Sequence, residues 1–223
     1  MRRMISIYVV GLAVAAFAAQ DTFTLDRKYK VDERDSYKVA ASLEMTGGSG
    51  EASMTLMQTV VKTYENGDAD IALSSKDARF VMDGQEMIEE LEEIVVRVDK
   101  RGLPASASEH GPLSGVSTLL SASGLVDKPM KTGETLKVDI EAKDGRPKAK
   151  GTVKLESVKD GVATIVSDMD VTSDEFDGAT CKLTATALID VATSKPNKIE
   201  LKCLFADAGF EIKSIKATIE RIK

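Results

Sequence analysis

The sequence predicts a mainly β protein: a curved antiparallel sheet or half-barrel built from two similar halves, with one or two short helices. Three observations predict it. Apolar and polar residues alternate with period two through most of the chain, so successive side chains fall on opposite faces of a pleated ribbon. Turn signals at Asn66-Gly67 and Asp160-Gly161 break that alternation at hairpin spacing, and Asp83-Gly84 ends a short strand. The chain is long enough for one sizeable core, at 223 residues, and too apolar for wholesale disorder, at 43% hydrophobic and 30% charged.

At the N-terminus, Arg2 and Arg3 precede an apolar run over residues 5–17, and Ala16-Phe17-Ala18 supplies a small-x-small cleavage pattern. Residues 1–18 read as an export signal cut before Ala19. The apolar run is shorter than the ~20 residues of a membrane span, so no integral span is expected after cleavage. No cysteine follows the cut to accept a lipid. The expectation is a secreted or periplasmic protein whose residues 19–223 form a single antiparallel β domain. Removing the two arginines leaves 28 basic against 36 acidic residues and moves the formal charge from −6 to −8.

The first half spans about 22–102. Tyr37, Val39, Ala41, Leu43 and Met45 share one face of a strand, with Lys38, Ser42 and Glu44 on the other. Gly47 to Gly50 turns the chain into a second strand, over 53–64, with Met54, Leu56 and Val60 in step. Asn66-Gly67 returns it through Ala69, Ile71 and Leu73, and Phe80 and Met82 mark a further short strand. Residues 85–93 depart from the rhythm. Met87, Ile88 and Leu91 stand at helical spacing among five glutamates, which predicts a short amphipathic helix with a solvated acidic face. Ile94, Val96 and Val98 resume the strand pattern up to a turn at 99–102.

Residues 103–128 read as a helical connector. Pro112 stands at a helix start, Gly124 at a C-cap, and Leu113, Val116, Leu119 and Leu120 between them give a helix over 113–123 with one strongly apolar side. A curved sheet has a concave face that must be covered. Val116, Leu119 and Leu120 are the candidate residues for covering it, either as core or as one wall of a cavity for an apolar molecule.

The second half, about 129–223, repeats the first half's pattern. Leu136, Val138, Ile140 and Ala142 alternate with Lys137, Asp139 and Glu141, and Lys143 to Arg146 form a turn. Val153 and Leu155 alternate with lysines and Glu156, and Asp160-Gly161 leads into a strand over 162–168. Strand–turn–strand–(Asn/Asp)-Gly–strand occurs at 35–73 and again at 135–168, as an internal duplication would produce.

Cys181 and Cys203 are the only cysteines. Pairing them across a hairpin of 180–190 with 198–206 puts Leu183 opposite Leu201 and Ala185 opposite Ile199, with Lys182, Thr184, Glu200 and Lys202 on the other face. One register satisfies both the thiols and the apolar alternation. In an oxidising compartment it predicts a disulfide, which by the chain-entropy model contributes about 3 kcal/mol. The alternative is a pair of reduced thiols packed as small hydrophobes.

Chemistry-bearing constellations are absent. The chain has one His, no Trp and an acid excess, which argues against nucleic-acid binding and against a multi-histidine metal site. No phosphate-binding glycine loop, nucleophile elbow or zinc motif occurs. His110 reads as an exposed loop residue. Asp168 to Asp174 place oxygens at alternate positions, but a calcium loop needs a glycine at its sixth position and a glutamate at its twelfth, where Ala179 stands. No catalytic residue, metal or cofactor is expected.

In its order of elements the chain resembles a group of secreted bacterial β-proteins of unknown function. More remotely it is similar to the periplasmic half-barrel lipoprotein carriers, in which a curved sheet capped by helices holds lipid. The resemblance covers most of 22–223 and carries over no individual residues. It implies an exported, non-catalytic module holding an apolar small molecule between sheet and connector helix. The alternative is a structural or interaction module with a protein partner in the cell envelope.

Overall fold

The computed structural model describes residues 22–88, 92–103, 128–142, 148–172, 178–206 and 211–222. The alternating segments all become strands, and no helix occurs among the described residues. In chain order they are β1 (Thr22–Phe23), β2 (Arg34–Met45), β3 (Ser49–Thr63), β4 (Ala69–Met82), β5 (Gln85–Ile88), β6 (Ile94–Val98) and β7 (Met130–Lys131). The second series is β8 (Thr135–Ile140), β9 (Lys148–Lys159), β10 (Val162–Thr172), β11 (Thr180–Asp190), β12 (Pro196–Phe205) and β13 (Ile212–Ile222).

Eleven of these form one antiparallel sheet in the order β5-β4-β3-β2-β13-β12-β11-β10-β9-β8, with β6 also on β4. It is curved and does not close into a barrel. Each set is a meander of hairpins, and the two meet where the last strand, β13, pairs with β2. Both sets bury their inner residues in one core, from Val39, Leu56 and Leu73 to Leu155, Ile165, Ile199 and Ile219.

The turn signals act as the sequence predicts. Gly67 and Gly161 adopt positive φ (88° and 74°), where a glycine pays no Cβ penalty. Asp83 and Gly84 also lie at positive φ (50° and 79°), the geometry of a tight two-residue hairpin. That turn overrides the helix expected over 85–93. Residues 85–88 fold back as β5, with Met87 opposite Phe80 and Ile88 opposite Arg79, and Arg79 Nε bonds Glu86 Oε1 at 2.6 Å. The helical spacing of Met87 and Ile88 is therefore incidental. The export signal, the helix over 113–123 and His110 lie outside the described residues.

A feature the period-two pattern does not announce bridges the two sets. The segment after β1 bonds to the first set, with Arg27 N donating to the Lys100 carbonyl at 2.8 Å and Asp32 N to that of Val60 at 2.9 Å. The segment after β7 bonds to the second set, with Gly133 N donating to the Leu155 carbonyl at 2.7 Å. The two segments pair with each other as β1 and β7, Phe23 opposite Met130. Together they clasp one end of the sheet, and Leu25 and Met130 bury their side chains beneath the clasp.

Candidate functional site

Registers across the sheet line up inner residues in rows that run from strand to strand, and the rows are stacked from the clasped end to the opposite, open end. A row toward the clasp pairs Val39 with Ile219, Ile219 with Ile199 and Ile199 with Ala187, and continues to Ile165 and Leu155. All of these are buried, Leu155 and Ile199 completely so. The middle row is made of small residues. Ala41 pairs with Ala52 on one side and Ala217 on the other, and the row continues through Leu201, Ala185 and Ser167 to Val153.

Toward the open end the same face changes character. Phe80 and Leu136 end the middle row at its two margins, Leu43, Val138, Ile140, Phe205 and Ile212 lie beyond it, and all seven pack against the core yet remain only partly buried, whereas Cys181, Cys203, Leu183 and Met169 between them are buried. The partly buried residues come from β2, β4, β8, β12 and β13, so both sets contribute. The surface they leave accessible on this face of the curved sheet is apolar. Such a surface suits an apolar molecule or an apolar covering segment.

The two cysteines lie on this inner face, in a register that corrects the expected one. Cys181 pairs with Phe205 and Cys203 with Leu183, a shift of two residues from direct opposition. Faces are unchanged by such a shift, so both side chains still point inward and are buried, but they sit diagonally and are free thiols. The hydrogen bond between them holds the Cys181 thiol below its ordinary pKa and, together with burial, pushes that of Cys203 up. The cause of the shift is the turn. Asp190 Oδ1 accepts from Thr193 N at 2.8 Å and from Thr193 Oγ1 at 2.9 Å, Ser194 takes a positive φ of 55°, and a bulge follows at Leu188/Ile189.

Of the stretch with oxygens at alternate positions, residues 173–177 lie outside the described residues. Residues 168–172 are the end of strand β10, where Asp168 and Asp170 point outward and ion-pair with Lys182 across the ladder. Among the described residues no three His, Cys, Asp or Glu side chains converge as metal ligands, and no helix is long and apolar enough to cross a membrane.

Val116, Leu119 and Leu120, singled out from sequence as ligand-binding, lie outside the described residues. The inner residues of the open end were each legible as strand positions, but nothing in sequence separates them from Val39 or Ile199 on the same face. What separates them is the clasp, and its two-residue strands carry no periodic signal.

No family model matches the chain, and no curated protein matches its sequence. Among solved structures it is similar to the chain described as "lipid-protein interactions in lipovitellin", at 11% identity and a TM-score of 0.45, over 85% of this chain and 24% of that one.

Proposed function

We propose that the protein is an exported, non-catalytic binding module that holds an apolar small molecule against the open end of its inner face. The supporting observation is the contrast in burial on one face of one sheet. The same face that is sealed at Leu56 and Ile199 is only partly covered at Leu43, Phe80 and Val138. Apolar surface left in water costs about 25 cal/mol per Å², so an apolar molecule laid there gains what the clasp already gives the other end. Residues 113–123, with Val116, Leu119 and Leu120, are the segment we assign to the remaining wall. Export follows from the signal read over residues 1–18.

The test is binding of a fluorescent long-chain fatty acid, with native mass spectrometry of protein purified from its own host. A blue-shifted, saturable signal that weakens roughly tenfold in a Leu43→Ala, Phe80→Ala, Val138→Ala triple variant supports the reading. An equal signal in that variant, or none in the wild type, overturns it.

A second reading, an interaction module of the cell envelope, is favoured by the β4–β5–β6 edge. There Met82, Met87, Ile88 and Val95 are 44%, 51%, 79% and 55% exposed. An uncovered edge strand with apolar side chains is a template for pairing with another chain. Loss of self-association or of a co-purifying envelope protein in Ile88→Lys would favour this reading, and monomeric behaviour with no partner would remove it.

A further inference from the structure

Beneath the clasp lies a cavity whose charges do not balance. It is lined by Arg27, Tyr29, Asp35, Tyr37, Gln58 and Lys195, among others, and leaves about 20 Å³ for the centre of a water-sized sphere. That is room for one small species. Lys195 Nζ bonds Glu33 Oε1 and Asp35 Oδ2, each at 2.6 Å, and an Arg221 guanidinium nitrogen bonds Asp35 Oδ1 at 2.7 Å. Both carboxylates are therefore already engaged.

Arg27 is the cation left over. No carboxylate among the described residues ion-pairs with it. Its guanidinium lies against Gly102, where an added Cβ would come within 3.2 Å of Cζ, so it cannot swing out on that side. One of its N–H groups is taken by Tyr29, whose hydroxyl donates in turn to the Asp99 carbonyl at 3.1 Å. Its Nε is sealed from solvent and has no partner. Among the lining residues three cations, Arg27, Lys28 and Lys195, thus stand against two carboxylates, Glu33 and Asp35, while Arg221, beside the cavity, faces both Asp35 and Asp190.

We propose that this cavity is a binding site for a small monoanion of chloride size, held by Arg27 beside Lys195. A water would satisfy the orphaned N–H but leave the positive charge of this partly buried side chain uncompensated. A monoanion satisfies both. Burial pushes the Tyr37 phenol up to about 12, so it lines the site as a neutral O–H group rather than a competing anion. The space excludes sulfate and phosphate by size.

The anion stabilises the native clasp by mass action, and thermal unfolding reads it. At fixed ionic strength, replacing gluconate with chloride or bromide is expected to raise the midpoint saturably. Sulfate is expected not to, and Arg27→Gln is expected to abolish the difference. Crystals grown in bromide are expected to show an anomalous peak within hydrogen-bond reach of Arg27 Nε. Equal midpoints in chloride and gluconate, a chloride effect that survives in Arg27→Gln, or bromide crystals with only water at the site would each overturn the proposal. Should Arg27→Gln not fold, ³⁵Cl line broadening by the wild-type protein, displaced by bromide, decides it; absence of broadening counts against the site.

Discussion

The two ends of this sheet are built from the same strands and differ in what closes them. At one end the paired segments around β1 and β7 tie β3 and the β6 turn to β9, and the inner side chains beneath are sealed. Toward the other end Leu43, Val138 and Phe205 stay partly exposed. Strand propensity and alternation are alike at both ends, so burial here depends on long-range connections and not on local sequence. A structural end and a receptive end can therefore share one pattern of residues.

The sharpest way to break that comparison is a matched pair of truncations. Leu56 is fully buried at the clasped end, so Leu56→Ala is expected to cost about 2–5 kcal/mol. Leu43→Ala, at the open end, should cost nearer ~1 kcal/mol, because a partly exposed side chain loses less transfer energy and leaves an opening that water can fill. Urea unfolding of both variants measures the difference, and equal shifts in midpoint would erase the distinction between the ends.

Removing the ion-pair hub under the clasp comes next. Lys195 has only 13% of its side chain exposed and neutralises both Glu33 and Asp35. Lys195→Met leaves Glu33 without its ammonium partner and Asp35 with Arg221 alone, and is expected to cost about 2–3 kcal/mol, below the fully buried range because Glu33 is 26% exposed. In hydrogen exchange the Asp32 and Val60 amides, which belong to the clasp, should lose protection before those of the open end. A smaller effect is expected at Gly151, where a Cβ would overlap the Asp168 carbonyl and come within 2.6 Å of the Met169 Cα. Gly151→Ala must push β9 from β10, at about 1–3 kcal/mol, in the row that Gly151 shares with Val138.

Much of the fold was legible because alternation and turn chemistry are local. Tyr37 to Met45 and Leu136 to Ile140 could be assigned to faces from the residues alone, and Asn66-Gly67 and Asp160-Gly161 to hairpins. Three features resisted. Met87 and Ile88 mimicked a helix because only four residues of β5 were available to show a period, and the Asp83-Gly84 turn was the better witness. The cysteine register slipped because a shift of two leaves every side chain on its face. Apolar alternation cannot detect such a shift, whereas the Asp190–Thr193 hydrogen bonds and the left-handed Ser194 fix it. The clasp joins Phe23 to Met130, far apart in the chain, through strands too short to carry a pattern. The candidate site depended on that clasp, so its residues were visible while their role was not.

The smallest effect concerns acid. Asp70 sits near the clasped end on the outer face, where Arg97 Nε bonds it at 2.9 Å and the Tyr64 hydroxyl donates to it at 2.7 Å. The Arg97 hydrogen bond, above all, holds its carboxyl below the ordinary range. Asp190, in the β11–β12 turn, is held low first by the Thr193 hydroxyl. A carboxylate whose folded pKa is depressed contributes stability above its unfolded value, about 3.9, and loses it as pH falls through the lower folded value. Stability should therefore be level from neutral pH down to about 4 as far as these two groups are concerned, then decline. Asp70→Asn should flatten the decline and lower stability at neutral pH by a few tenths of a kcal/mol, the scale of a surface pair. Because Asp70 anchors β4 to β6 and Asp190 sets the register of β11 against β12, the two slopes report on different sets of the sheet. If Asp70→Asn removed the whole acid-dependent slope, the turn at Asp190 would not be held as described, and the register that separates the two cysteines would need to be redrawn.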